Sequence, residues 1–228
     1  MIFIFYIANY EVISYTLFMK FDGIILDIDG TIWDTTPVVA EAWNNAITAN
    51  FPQVPLVNAD ILKGQFGKPM NVIADNLFSV LPENEKAQLL KLCCAAEQKA
   101  LSENTKNITF SNVVETIAEL SKTHKLFIVS NCQSGYIEVV IEKNHISQFI
   151  TDSECFGNNG NQKDENISLI VKRNNLKNPV YVGDTAGDAE ACKKADVPFI
   201  WASYGFGKVD EFFAKITDFS QLLEIVKN

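Results

Sequence analysis

The stretch FDGIILDIDGTIWD, Phe21–Asp34, joins a short apolar run to two acidic side chains. The run Ile24–Leu26 is long enough for one strand that is buried on both faces. Asp27 and Asp29 follow it two residues apart, so continued strand geometry would point both carboxylates to the same side. Gly30 allows the chain to turn sharply after them. Because open parallel sheets bind ligands at the carboxyl ends of their strands, the stretch predicts a functional site.

Strand and helix patterns alternate through the second half of the chain. Short apolar or β-branched runs predict strands, and amphipathic runs with three- and four-residue spacing predict helices. This alternation indicates an α/β protein with a doubly wound parallel sheet. Strands are predicted at 125–129, 149–153, 179–182 and 198–202, and helices at 112–122, 135–143, 164–174, 186–195 and 219–226.

Residues 35–107 have a helical pattern with no strand in it. Apolar residues recur at helical spacing from Val38 to Ile47, Thr35 or Thr36 is a candidate helix cap, and Pro37 stands in the first turn. Further helices are predicted near 58–64, 69–79 and 84–103. The segment is therefore predicted to be a helical insertion between the first strand and the rest of the sheet.

Residues 1–18 are strongly apolar but fit neither a signal peptide nor a membrane span. They contain no Lys or Arg for a basic n-region, and Asn9 and Glu11 interrupt the apolar run. We expect an N-terminal extension outside the fold, with a membrane anchor as the alternative.

The composition is that of a globular protein with an acidic surface. Of the 228 residues 47% are hydrophobic, which is sufficient for a packed core. The net charge of −9 and the absence of a Lys/Arg-rich run disfavour nucleic-acid binding. The five cysteines are odd in number and form no Cys-x-x-Cys motif, which favours reduced thiols in the cytoplasm.

Four groups of polar residues stand at the ends of predicted strands or the beginnings of predicted helices. They are Asp27 and Asp29, Ser130-Asn131, Lys163, and the segment Gly183–Asp188. Taken alone, each has an ordinary interpretation as a surface turn, a helix cap or a solvated lysine. In this order they resemble the four motifs of the haloacid dehalogenase-like hydrolase superfamily, whose first motif is an apolar strand ending in Asp-x-Asp-Gly-Thr.

The resemblance implies a fold and a domain organisation. The expected fold is a Rossmann-like α/β core, made of residues 19–34 and 108–228, with an inserted α-helical cap at residues 35–107. In this superfamily such a cap is mobile and closes over the active site, which excludes water and selects the leaving group.

The resemblance also implies a Mg²⁺ site. Asp27, Asp184 and the backbone carbonyl of Asp29 would bind the ion, which prefers oxygen ligands. Asp188 stands one helical turn after Asp184, and it would support the water molecules of the ion without binding it directly.

The substrate phosphate would meet the remaining motif residues. The resemblance implies that the Ser130 hydroxyl, the Asn131 backbone N–H and Lys163 bind its oxygens. A bound cation is needed because a phosphate dianion repels an attacking carboxylate. Four ionised carboxylates against Mg²⁺ and one lysine leave an excess of negative charge, which favours protonation of one carboxyl group. Asp27 would then stay ionised and attack phosphorus, while Asp29 would act as general acid and base.

The predicted function is a Mg²⁺-dependent phosphatase of small phosphorylated metabolites, similar to phosphoglycolate phosphatase, that acts through an aspartyl-phosphate. Asp34–Pro37 resembles the Asp-Ser-x-Pro of those enzymes. Dehalogenases of the superfamily lack the second aspartate and the metal, so Asp29 and Asp184 favour phosphoryl transfer. A phosphomutase of the β-phosphoglucomutase type is the alternative, although Val39 stands where those enzymes carry a histidine. A noncatalytic binding module on the same fold is the alternative of another class.

Two further expectations concern the partners. The segment Lys63–Lys68 lies where related caps place a substrate loop, and its lysines either meet an anionic substrate or are solvated surface residues. We expect a monomer or homodimer that binds a small phosphorylated metabolite, with no nucleic-acid partner and no membrane partner.

Overall fold

A single parallel sheet organises residues 20–227, which are the residues that the computed structural model describes. The predicted N-terminal extension, residues 1–18, lies outside them. The strands are β1 (Gly23–Leu26), β2 (Lys125–Ser130), β3 (Ile150–Cys155), β4 (Pro179–Gly183), β5 (Phe199–Ala202) and β6 (Ala214–Ile216). Their order in the sheet is β3-β2-β1-β4-β5-β6. The first strand of the sequence is thus central, between β2 and β4.

A helix follows every strand except β5, which is joined to β6 by a segment without a helix. Four of them, α1 (Thr36–Asn50), α2 (Ala59–Lys63), α3 (Met70–Leu77) and α4 (Glu83–Glu103), lie between β1 and β2 in sequence. The later helices are α5 (Val113–Leu120), α6 (Tyr136–Lys143), α7 (Phe156–Asn159), α8 (Lys163–Arg173), α9 (Ala186–Ala195) and α10 (Leu222–Ile225). Short 3₁₀ turns occupy Ser147–Phe149 and Phe219–Gln221. No helix among residues 20–227 is long and apolar enough to cross a membrane.

The central strand buries side chains on both faces of the sheet. Ile25 packs in one apolar cluster with Ile167 and Ile170 of α8. Ile24 and Leu26 belong to a second cluster, which includes residues of α1, α5 and α6. Because successive strand residues point to opposite faces, this division shows helices packed on both sides of the sheet. The predicted doubly wound α/β fold is confirmed.

The segment between β1 and β2 is helical, as its periodicity predicts. Trp43 of α1 is fully buried in the main apolar cluster, close to Phe78, so it serves as a packing residue. The predicted helices near 58–64, 69–79 and 84–103 correspond to α2, α3 and α4. The division of the chain into a core and a separate cap stays a prediction.

Two elements at the C-terminal end differ from the prediction. Strand β6 was not predicted, because it has only three residues and carries the exposed Lys215 at its centre. The predicted helix 219–226 is a 3₁₀ turn followed by a single helical turn, α10. Asp218 accepts a hydrogen bond from the Ser220 N–H and thereby fixes the tight first turn.

Candidate active site

The chain leaves β1 at Leu26 and turns within a few residues. The Asp27 N–H still donates to the Val182 carbonyl of β4 at 2.9 Å, but the Ile28 carbonyl accepts hydrogen bonds from residues 31 and 32. Strand geometry therefore does not continue through Asp29, contrary to the expectation from spacing. Both carboxylates nevertheless line the same pocket.

The first carboxylate belongs to a group of four buried charged residues, which we call the inner cluster: Asp27, Lys163, Asp184 and Asp188. The ammonium of Lys163 donates to Asp27 Oδ1 at 2.9 Å and also to Asp188 Oδ1. The Tyr181 hydroxyl lies 3.4 Å from the same oxygen of Asp27. Lys163 opens α8, so a helix start places the cation beneath the end of β1.

The two acidic residues after β4 differ in how their oxygens are satisfied. Asp188 Oδ2 accepts hydrogen bonds from the Asp184 N–H and from the Thr185 N–H and hydroxyl, which closes a capping box on α9. Asp184 Oδ2 accepts from the Phe206 N–H at 2.6 Å. Asp184 Oδ1 is buried and has no hydrogen-bond partner among the described residues. Asp184 therefore keeps a free acceptor, whereas both oxygens of Asp188 are engaged.

The donor set of the inner cluster fits a hard divalent cation. Carboxylate oxygens of Asp27, Asp184 and Asp188 all lie within 4.8 Å of one another, and oxygen ligands are those that Mg²⁺ prefers. Gly30, with φ of +83°, leaves room for this arrangement, since a Cβ there would overlap the Asp184 carboxylate.

The inner cluster carries more negative charge than its single lysine neutralises. Burial raises the pKa of Asp184 well above its usual range, and the neighbouring Asp188 and Asp27 raise it further. Burial also raises the pKa of Asp27, although the Lys163 ammonium opposes this effect. Burial lowers the pKa of Lys163, but Asp188 and Asp27 outweigh it, so that the net direction is upward. An additional cation would relieve this excess of charge.

The second carboxylate has neutral partners. Asp29 Oδ1 accepts hydrogen bonds from the Tyr136 hydroxyl at 2.7 Å and from the Thr35 hydroxyl at 2.9 Å. Burial raises the pKa of Asp29 to about 7, and the hydrogen bond from Tyr136 is the largest opposing effect. The group can therefore exchange a proton near neutral pH.

A further buried carboxyl group, Glu97 of α4, lines the same pocket. Its Oε2 accepts from the Trp43 indole N–H at 2.8 Å, and its Oε1 accepts from the Gln133 amide at 3.1 Å. Burial raises the pKa of Glu97 to about 7, and these two hydrogen bonds oppose the rise. We call Asp29, Thr35, Tyr136, Trp43, Glu97 and Gln133 the outer cluster.

The predicted phosphate-binding residues lie at the end of β2. Ser130 and Asn131 are buried and line the pocket with both aspartates. The Asn131 amide N–H donates to the Gly67 carbonyl at 2.7 Å, which ties the end of β2 to the loop between α2 and α3. The structure thus brings all seven predicted site residues to one edge of the sheet, while their catalytic roles stay predictions.

The pocket is narrow in this conformation. Its cavity volume is about 20 Å³, room for little more than one water molecule. Phe66, Met70 and Ile73 of the inserted segment form its apolar wall. These inserted residues therefore leave little room for a substrate beside the two aspartates.

Apart from Asp29, no member of the outer cluster was predicted from the sequence as part of the site. Thr35 was a candidate helix cap, yet its hydroxyl makes no capping hydrogen bond to α1 and donates to Asp29 instead. Tyr136, Glu97 and Gln133 have no local signature, because Tyr136 meets Asp29, and Gln133 meets Glu97, only after the chain folds. Of the two lysines in the predicted substrate loop, Lys63 pairs with Asp34 at 3.2 Å and Lys68 lines the pocket.

Comparison with known proteins identifies related chains. The sequence pattern of the family described as haloacid dehalogenase-like hydrolase matches residues 24–202. A phosphoglycolate phosphatase from Vibrio parahaemolyticus is 25% identical over 224 residues, which cover 89% of this chain and 95% of that protein.

Solved structures share the fold at lower sequence identity. A predicted phosphoglycolate phosphatase from Haemophilus somnus superposes with a TM-score of 0.81 at 19% identity, over 92% of this chain and 100% of the other. A predicted phosphatase from Clostridium acetobutylicum gives a TM-score of 0.77 at 14% identity, over 90% and 97% of the two chains. These similarities show a common architecture.

Proposed function

This chain belongs to the haloacid dehalogenase-like hydrolase family, and we propose that it is a Mg²⁺-dependent phosphatase of small phosphorylated metabolites, similar to phosphoglycolate phosphatase. The observation that carries this proposal is the pair Asp27 and Asp29. They line one pocket, but one is paired with a lysine and the other has only hydroxyl donors. Two carboxyl groups in different surroundings suit two different roles.

Asp27 is the nucleophile in this proposal. Burial raises the pKa of Asp27, and its contact with Lys163 opposes this rise, as a bound cation would; an ionised carboxylate is what an attack on phosphorus requires. A bond forms between a carboxylate oxygen and phosphorus while the bond from phosphorus to the leaving oxygen breaks. The product of this step is an aspartyl-phosphate and a free alkoxide that needs a proton.

Asp29 supplies that proton. With a pKa raised to about 7 by burial, it is partly protonated at neutral pH. Thr35 and Tyr136 both hold Oδ1, which leaves Oδ2 for the leaving group. Once deprotonated, Asp29 accepts a proton from the water that hydrolyses the aspartyl-phosphate.

Mg²⁺ would be held by Asp27, Asp184 and the carbonyl of Asp29. The buried free oxygen of Asp184 supports this choice, and the engaged oxygens of Asp188 support an indirect role for that residue. The ion would supply positive charge that offsets the repulsion between the carboxylate and the phosphate.

The phosphate itself would be bound by chain donors. Lys163, the Ser130 hydroxyl and the Asn131 N–H are the donors that we assign to its oxygens. All three residues are buried; Lys163 contacts Asp27, and Ser130 and Asn131 line the pocket together with Asp27. Lys163 would exchange its present contact with Asp27 for one with a phosphate oxygen as substrate binds.

Transfer of the phosphoryl group to water, and not to a second sugar hydroxyl, is part of the proposal. Val39 is fully buried and apolar at the position where phosphomutases carry a histidine. Incubation with β-glucose 1-phosphate, a trace of the 1,6-bisphosphate and Mg²⁺ should give inorganic phosphate by phosphorus NMR. Faster accumulation of glucose 6-phosphate would support the mutase alternative.

The test of the metal assignment is a titration of activity. Phosphate release should require Mg²⁺ and stop with EDTA. In Asp184→Asn the half-saturating Mg²⁺ concentration should rise at least about tenfold, because a direct ligand loses its charge. Asp196→Asn is the control, since it removes an exposed carboxylate at a left-handed position that Asn tolerates. Unchanged titration curves for Asp184→Asn would place the metal elsewhere.

A further inference from the structure

The carboxyl group of Glu97 has no role in the proposed hydrolysis. It is 3% exposed, yet it lines the pocket that also contains Asp27 and Asp29. A buried carboxyl group in this position places a potential negative charge on the pocket that a substrate would enter.

The hydrogen bonds of Glu97 leave acceptor capacity on both oxygens. A carboxylate offers about four acceptor sites, and the N–H groups of Trp43 and Gln133 take one on each oxygen. Both donors are neutral, and they only oppose the effect of burial, which raises the pKa of Glu97 to about 7. A hydrogen-bond donor on a bound molecule would occupy a free acceptor site of Glu97 and favour the ionised form of its carboxyl group.

The rest of the outer cluster offers no cation to a negatively charged leaving group. Its members are two carboxyl groups and the hydroxyl, indole and amide donors that bind them. The wall beside them is formed by Phe66, Met70 and Ile73, which cannot solvate a charge. A substrate carboxylate placed here would meet like charge in apolar surroundings.

We propose that Glu97 selects the leaving group, and that the preferred substrates are small phosphate monoesters whose alcohol carries a hydroxyl or ammonium donor that binds Glu97. A leaving group with a carboxylate in that position is disfavoured by repulsion. This inference rests on the proposed phosphatase function and narrows its substrate class.

Lys68 also lines the pocket, and its ammonium would attract a substrate carboxylate, which Glu97 would repel. Its ammonium donates to the Gly64 carbonyl at 2.9 Å and to Gln65 Oε1 at 3.1 Å. Both acceptors belong to its own loop, so binding a substrate carboxylate would require it to give up these contacts. Glu97 can accept a hydrogen bond from a substrate without giving up its bonds to Trp43 and Gln133, because both of its oxygens keep a free acceptor site.

The experiment uses three esters that differ only at the end of a two-carbon leaving group: 2-phosphoglycolate, 2-hydroxyethyl phosphate and phosphoethanolamine. With Mg²⁺ at pH 8, wild-type kcat/KM for the hydroxyl and ammonium esters should exceed that for 2-phosphoglycolate at least about tenfold. In Glu97→Gln, which keeps the shape and removes the charge, the ratio should fall toward one. Glu103→Gln, at the exposed end of α4, is the matched control and should keep the wild-type ratio.

The possible results separate the inference from the proposed function. A wild-type preference for 2-phosphoglycolate, or an unchanged ratio in Glu97→Gln, would overturn the inference while leaving the phosphatase function in place. A loss of 2-phosphoglycolate hydrolysis confined to Lys68→Gln would assign recognition of the leaving group to Lys68 instead. No hydrolysis of these esters or of p-nitrophenyl phosphate would overturn the phosphatase function, and the inference with it.

Discussion

The inner and outer clusters both bury carboxyl groups, but they compensate for burial in different ways. The inner cluster opposes three aspartates with the ammonium of Lys163. The outer cluster surrounds Asp29 and Glu97 with neutral hydroxyl, indole and amide donors. An ammonium favours ionisation more strongly than a neutral donor does, so Lys163 opposes the burial that raises the pKa of Asp27, and a bound cation would favour ionisation further, whereas Asp29 and Glu97 have only neutral donors.

This difference explains how a single turn can carry two aspartates with different chemistry. Asp27 and Asp29 are separated only by Ile28, whose burial in the apolar core directs the two acidic side chains to different partners. The pKa of a carboxyl group is set by its surroundings and not by its position in the sequence. The comparison can be tested by removing charge from each cluster in turn.

The largest effect is expected for the nucleophile of the inner cluster. Asp27→Asn should reduce phosphate release by at least about 10³-fold, because an amide cannot form the covalent intermediate. Its thermal midpoint should stay close to that of the wild type or rise, since the change removes one negative charge from a buried excess. Asp196→Asn is again the control. Activity above a few per cent in protein free of wild-type contamination would contradict the assignment.

Removing the cation of the inner cluster should lower stability. In Lys163→Met, measured by urea unfolding with EDTA at pH 8, the free energy of unfolding should fall by about 3–5 kcal/mol, because buried carboxylates lose their partner. The pKa of Lys163 is raised in the folded state, so the lysine is protonated in both states below about pH 10, and any pH dependence of its contribution in that range comes from its carboxyl partners.

The loss in Lys163→Met should be smaller at pH 5.5, where carboxyl groups with raised pKa values can take up protons instead. Lys194→Met is the control, because it breaks only the exposed pair with Glu190 and should change stability by less than about 1 kcal/mol. An equal loss at both pH values would show that the lysine stabilises the fold through packing.

Removing a charge from the outer cluster should raise the free energy of unfolding, whereas removing the charge of Lys163 should lower it. Burial raises the pKa of Glu97 from 4.5 to about 7, so the folded state holds this proton more tightly than the unfolded chain does. Ionised Glu97 therefore weakens the fold increasingly as the pH rises from about 4.5 to 7, after which the effect is constant. Glu97→Gln should be more stable than the wild type at pH 8, by up to about 3 kcal/mol, and no more stable at pH 4.5.

Urea unfolding at the two pH values measures this difference, with Glu103→Gln as the exposed control on the same helix. If Glu97→Gln were less stable than the wild type at pH 8, the Trp43 and Gln133 donors would compensate fully for burial. The inner and outer clusters would then not differ in the way described above.

The inner cluster could be predicted from the sequence because each of its members has a local sequence signature. Asp27 follows an apolar run, Lys163 opens a helix, and Asp184 and Asp188 belong to a capping segment after a strand. The rule that parallel strands end at a common edge then brings them together. Their placement could thus be predicted, whereas the free oxygen of Asp184 could not.

The outer cluster depends on tertiary packing, which no spacing rule encodes. Glu97 reaches the pocket only because α4 packs against α1, and Tyr136 reaches Asp29 from the first turn of α6. In the sequence these residues look like an ordinary acidic helix position and an ordinary aromatic core residue. The three-residue strand β6 escaped prediction for a similar reason, since its pairing with β5 gives it an extended conformation that its short pattern does not specify.

The smallest effect is expected for a single neutral donor of the outer cluster. Tyr136→Phe removes the hydroxyl that lies 2.7 Å from Asp29 Oδ1 and keeps the ring, which packs edge-on against Trp33. The hydrogen bond from Tyr136 lowers the pKa of Asp29, so its loss should raise that pKa further. Because Asp29 must carry a proton to protonate the leaving group, the alkaline limb of the kcat/KM profile should move to higher pH.

The maximal rate of Tyr136→Phe should fall by about tenfold or less, because Thr35 still holds Oδ1 and the charges of the inner cluster are unchanged. Tyr204→Phe is the matched control, since that phenol donates to the backbone carbonyl of Thr31 and should leave the alkaline limb in place. A shift of the limb to lower pH would mean that the Tyr136 hydroxyl favours the protonated form of Asp29.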